Sequence, residues 1–106
     1  MLVVIANNVM SVRNSTVTAT VNSNVTLTCA TMTGDTVRWI RYREGPSAPL
    51  SLFSGSDVNP KFPRIRVNTL ETGHSELIIH NVQYTDAGQY SCKVTSPSYF
   101  TLTVIG

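Results

Sequence analysis

Apolar and polar residues alternate along most of this chain with a period of two, and the 3.6-residue period of a helix is missing almost everywhere. In "VTLTCAT", Val25, Leu27 and Cys29 fall on one face of an extended segment, and Thr26 and Thr28 on the other. Before it comes "TVTATV", closed by the polar turn "NSN". After it, beyond Gly34 and Asp35, comes "TVRWIRY", where Val37 and Trp39 share one face while Arg38, Ile40 and Tyr42 share the other. "EGPSAP" interrupts the chain, "LSLFS" resumes it, and "GSDVNPKFP" interrupts it again with Gly and Pro. "RIRV", "ELIIHNV", "QYSCKVT" and "SYFTLTVI" supply four further strands, and the apolar opening "LVVIA" reads as a first one. The pattern predicts an all-β domain of eight to nine strands folded as a two-sheet antiparallel sandwich.

A length of 106 residues suits one domain over residues 1–106, with no repeat or linker inside it. At 42% hydrophobic and 13% charged, the chain has too little charge for a disordered polymer, and no apolar run is long enough to cross a bilayer. The net charge of +2 comes from scattered basic residues without an aromatic stacking platform, which speaks against a nucleic-acid partner. The opening lacks a basic flank, and its five-residue run "LVVIA" is shorter than the apolar region of a signal peptide. Met1 is either a native start or, the preferred reading, one added to a mature fragment, and Gly106, directly after a strand, suits a module excised from a longer protein.

The chemistry is concentrated in Cys29 and Cys92, 63 positions apart and each at the inward phase of a β run. They could pair across the two sheets, remain buried thiols, or ligate a metal. Without a CxxC or a His pair nearby they make a poor zinc site, so a bridge is the expected state. Closing so long a loop stabilises a fold by about 4 kcal/mol in the chain-entropy model and implies an oxidising compartment.

Taken with Trp39, "LIIHNV" and "DAGQYSC", the cysteines give the chain a pattern that resembles the immunoglobulin superfamily from Val17 to Val104. The resemblance implies that Cys29 and Cys92 are the bridged cysteines of strands B and F, and that Trp39 is the strand C tryptophan packed on the bridge. Tyr90 resembles the tyrosine-corner residue, whose hydroxyl bonds to backbone upstream, with Gly88 allowing a tight approach to strand F. Asp86 resembles the turn aspartate that pairs with an arginine at the start of strand D; Arg64 is the first choice and Arg66 its competitor. The 53 residues from Trp39 to Cys92 leave room for strands C′ and C″, with "APLSLFS" as C′, which implies the variable-type (V-set) form. There are departures: "NSN" replaces the usual Gly before strand B, and the ten-residue step from Cys29 to Trp39 implies a short BC loop. The last strand lacks the FGxG bulge of antibody and T-cell-receptor variable domains, which points to a dedicated cell-surface recognition protein instead.

No catalytic, cofactor or metal site is expected. His74, Glu76 and His80 share one parity along strand E and could in principle ligate a metal, but solvated polar residues are what an outer sheet face carries. Two N-x-[ST] sequons make Asn14 and Asn24 candidate glycosylation sites. Neither falls in strands C, C′, F or G, so the sheet made by those strands is expected to be free of sugar. With Trp39, Leu52, Cys92 and Leu102 facing inward, alternation places Ile40, Tyr42, Phe53, Lys93 and Tyr99 on the outer face of that sheet. Large apolar and aromatic groups are costly to leave wet, so these five form the candidate partner-binding surface.

The resemblance implies a non-enzymatic extracellular domain of a plasma-membrane or secreted protein, anchored to a membrane only through other parts of its parent chain. The partner it implies is another protein, a copy of itself or a family member, bound in cell adhesion or self-recognition. The alternative is an immune-type receptor or soluble lectin-like module that takes a carbohydrate or pathogen ligand through loops such as the "SPS" turn at Ser96 to Ser98.

Overall fold

Nine strands follow one another in the computed structural model, which describes residues 13–32, 34–43, 47–55, 57–70 and 73–106. They are β1 (Arg13–Thr20), β2 (Val25–Ala30), β3 (Arg38–Tyr42), β4 (Leu50–Ser54), β5 (Asp57–Val58), β6 (Ile65–Leu70), β7 (His74–Ile79), β8 (Gly88–Lys93) and β9 (Ser98–Ile105). A single turn of 3-10 helix, Tyr84–Asp86, precedes β8. The strand expected in "LVVIA" lies outside the described residues.

Each strand is rich in Val, Ile, Leu, Thr or aromatic residues, which fit a pleated, half-buried surface. The turns between them use residues that tolerate a left-handed backbone: Asn22 has φ 71° and Asn81 has φ 51°. The strands form a six-stranded sheet in the order β1-β9-β8-β3-β4-β5 and a three-stranded sheet in the order β2-β7-β6. All pairs are antiparallel except β1 with β9, which run parallel from Arg13 beside Ser98 to Thr20 beside Ile105.

Between the sheets lies the core. Leu27, Leu77 and Ile79 from the smaller sheet face Trp39, Leu52, Tyr90 and Leu102 from the larger, and the Cys29–Cys92 disulfide joins β2 to β8 across the gap. Trp39 is fully buried, with its ring centroid 5.7 Å from that of Phe100. A buried indole N–H needs an acceptor, and Trp39 Nε1 donates to the hydroxyl of Ser75 at 3.0 Å. Ser75 is itself fully buried on β7, in the same inward phase as Leu77 and Ile79. Replacing Ser75 by Ala orphans the indole N–H, so urea unfolding should show a loss of about 1–2 kcal/mol. An unchanged unfolding midpoint would mean the indole needs no partner there.

Simple alternation fails in β4. Trp39 pairs with Phe53 and Ile40 with Ser51, so Leu52 is an extra residue opposite the step between Trp39 and Ile40. A β-bulge of this kind turns two successive side chains to one side. Leu52 and Phe53 are accordingly both buried in the core, and Phe53, expected on the outer face, is a core residue.

Candidate functional site

Two side-chain groupings follow from this frame, one at a corner of the sandwich and one on the outer face of the six-stranded sheet. At the corner, the helical turn presents Asp86, which is buried and accepts a hydrogen bond from the Gln83 backbone N–H at 2.7 Å. Arg64, just before β6, grips the Asp86 carboxylate with two N–H donors at 2.7 and 3.0 Å and also donates to the carbonyls of His80 and Asn81. Arg66, one residue into β6, is exposed and forms no ion pair among the described residues. Tyr90 donates its hydroxyl to the Asp86 carbonyl at 2.5 Å, and burial pushes its pKa up to about 12. Burial alone would raise the Asp86 carboxyl, but the hydrogen bonds from Arg64 and the Gln83 N–H outweigh it and hold the group below its ordinary value. Gly88, at the start of β8, has φ 145°, where L side chains rarely go. A Cβ there would meet nothing nearer than 3.9 Å, so backbone conformation rather than a close approach calls for glycine. Every contact at this corner is internal, which makes it a clamp between the start of β6 and the turn before β8.

The outer face is different in kind. Strand register puts Arg38, Ile40 and Tyr42 of β3 beside Lys93, Ser91 and Gln89 of β8, and Ser91 and Gln89 beside Tyr99 and Thr101 of β9. The Lys93 ammonium lies 4.8 Å from the centroid of the Tyr99 ring and 5.9 Å from that of Tyr42, and donates to the Tyr99 hydroxyl at 3.0 Å. The Tyr99 hydrogen bond, and after it Tyr42, raises the Lys93 pKa above its ordinary value. The hydroxyls of Tyr42 and Ser91 share a hydrogen bond at 3.1 Å. Tyr42, Lys93 and Tyr99 thus form one half-exposed cluster held in place by its own contacts. Ile40 lies on this face too, but is 7% exposed and outside the central core, so it underlies the surface rather than presenting itself.

Residues 12–103 match the model of the immunoglobulin V-set domain. The chain belongs to the immunoglobulin V-set family. Among solved structures, this V-set domain is similar to the one described as the ZIG-8 IG1 homodimer, with a TM-score of 0.76 and 18% identity over 93% of this chain and 85% of that one. It is also similar to Dpr11 IG1, solved bound to DIP-gamma IG+IG2, with a TM-score of 0.73 and 26% identity over 85% of this chain and 97% of that one. No curated protein matches the sequence.

The two sequons of the V-set domain fall in unlike places. Asn24 precedes β2 in the smaller sheet, and its side-chain oxygen accepts from the Asn81 N–H at 2.9 Å. Asn14 lies on β1, and β1 is the edge strand of the six-stranded sheet, with Asn14 directly beside Tyr99. Neither sequon lies in strands C, C′, F or G, but the parallel pairing of β1 with β9 brings the Asn14 sequon to the edge of the same sheet. His74 and Glu76 lie on the outer side of β7 and His80 beyond its end, and among the described residues no three His, Cys, Asp or Glu side chains come together as a metal site.

The loops beyond the sheet are braced by a residue the sequence reading did not single out. Asp35 accepts from the Thr95 hydroxyl and the Met32 backbone N–H, both at 2.6 Å, and ties the β2–β3 loop to the β8–β9 loop. The Thr95 hydrogen bond is the leading reason its carboxyl lies below the ordinary value. A carboxylate directly after Gly34, in the turn between two strands, is the local signal that could have found it. Ser75 has a comparable signal, a small polar residue in an otherwise apolar inward row opposite Trp39.

Proposed function

We propose that this V-set domain is an extracellular, non-enzymatic recognition module that binds another protein through the outer face of its six-stranded sheet. The observation that carries the proposal is the Tyr42–Lys93–Tyr99 cluster. Two aromatic rings share one cation on the outer face of the sheet, outside the core cluster. Rings already held by mutual contacts lose little freedom on binding, so their burial contributes to affinity rather than offsetting ordering.

V-set domains are typically recognition modules, and Dpr11 IG1, at 26% identity, was solved bound to another protein built of IG domains. A second copy of this chain has a matching feature. Arg38 and Lys93 stand side by side, and Asp57, at the far edge of the same face, lies in the same row through Ser54. A copy packed face to face in the antiparallel sense would set a carboxylate against a pair of cations, and self-association or binding to a close relative is the arrangement to test.

Replacing Tyr42 by Ala should weaken self-association, read by sedimentation velocity, by about 1–2 kcal/mol while the domain stays folded. Thr26→Ala, exposed on the smaller sheet, should change neither property. If Tyr42→Ala associates like the wild type while substitutions at Ser96 to Ser98 abolish binding, recognition belongs to the loops instead.

A further inference from the structure

We infer that Asn14 carries an N-linked glycan that gates the recognition face, limiting a partner's access to Tyr99 and Lys93. The inference rests on that face being the binding surface. Asn14 is exposed, makes no side-chain hydrogen bond among the described residues, and heads the sequence Asn14–Ser15–Thr16. It stands on β1, which among the described residues is the edge strand of the six-stranded sheet and pairs with β9 alone.

Register does the rest. Asn14 is the direct partner of Tyr99, and adjacent strands lie about 4.8 Å apart, so the sugar is rooted one strand from Tyr99 and two from Lys93. Beside Asn14 there is a depression of about 210 Å³ lined by Thr16, Gln89, Tyr90, Tyr99, Phe100 and Thr101. It would seat the first sugar against the Tyr99 ring and direct the remainder over the cluster. Asn24, by contrast, directly precedes β2 of the smaller sheet, and its side-chain oxygen is engaged by the Asn81 N–H.

The modification needs a lipid-pyrophosphate-linked oligosaccharide as donor. The Asn14 Nδ2 bonds to the anomeric carbon of the first sugar, the bond from that carbon to the phosphate oxygen breaks, the lipid pyrophosphate leaves, and the amide gives up one proton. A bulky, solvated chain at that point excludes a second protein from Tyr99. Occupancy, or later trimming, then sets how much of the surface is available.

The test compares full chains secreted from cells that attach glycans, with occupancy read by peptide mapping and self-association by sedimentation velocity. Asn14→Gln and Thr16→Ala destroy the same acceptor by different routes, and Asn24→Gln is the control. Asn14 should be occupied in the wild type, and both acceptor variants should associate at least about ten-fold more tightly, equivalent to 1.4 kcal/mol. Asn24→Gln should match the wild type. An empty Asn14, or an occupied wild type that associates as tightly as Asn14→Gln, overturns the inference. Adding Tyr42→Ala to Asn14→Gln separates the two ideas. If the sugar-free chain associates and Tyr42→Ala weakens it, the face stands and only the gate is in question. If the sugar-free chain stays monomeric, or ignores Tyr42→Ala, the face itself is wrong and the gate falls with it.

Discussion

Replacing Cys29 and Cys92 together by Ala is expected to lower the free energy of unfolding by about 2–5 kcal/mol. The bridge closes a loop with a sequence separation of 63, and without it the unfolded chain recovers the freedom that the link denied it. The folded side adds to the loss. Both cysteines are almost wholly buried among Leu27, Trp39, Tyr90 and Leu102, so their removal also leaves a void between the sheets. A domain of this size has a total stability of about 5–15 kcal/mol, so the loss is a large share of the whole and the doubly substituted chain should unfold at a clearly lower denaturant concentration. Chemical denaturation with and without reductant provides the check. Equal midpoints for the wild type and the double variant would show that the core alone holds the two sheets in place.

Much of this architecture is legible in the sequence because burial in a strand has a period of two and leaves a regular trace. Val25, Leu27 and Cys29 were placed inward by alternation alone and are buried in the fold, with Thr26 and Thr28 exposed between them. The trace fails where pairing, rather than alternation, decides which way a residue faces. Phe53 reads as outward in "LSLFS", but a bulge depends on the partner strand, and nothing in those five residues announces that Leu52 is extra. Asn14 is a similar case. Its sequon is plain in the sequence, yet its place beside Tyr99 depends on β1 running parallel to β9, a long-range pairing that local pattern does not encode. The outer-face cluster is legible only in part: parity puts Tyr42, Lys93 and Tyr99 on one face, but the shared cation between the rings depends on the registers of β3, β8 and β9 together. Ile40 shows the remaining limit, since parity gives a face and not a degree of exposure.

Asp86→Ala is expected to cost about 2–4 kcal/mol, more than an exposed ion pair and somewhat less than a fully buried one. The reason lies in the unequal exposure of the partners: 11% for the Asp86 side chain and 37% for that of Arg64. Losing the carboxylate takes the partner from the Gln83 N–H and from Arg64 Nη2, although Arg64 Nη1 keeps the His80 and Asn81 carbonyls. The cost should depend on pH with a definite sign. The folded state holds the Asp86 carboxyl below its unfolded value of about 3.9, so the native protein resists protonation. Its contribution is complete above the unfolded pKa and is lost as pH falls through the lower folded one. The stability gap between wild type and Asp86→Asn should therefore be flat near neutrality and narrow below about pH 4. A double-mutant cycle assigns the partner: Asp86→Ala with Arg64→Ala should show coupling of at least about 1 kcal/mol, and Asp86→Ala with Arg66→Ala none. Coupling to Arg66 alone, or a gap that widens in acid, would refute the clamp, because a carboxylate held by Arg64 admits neither result.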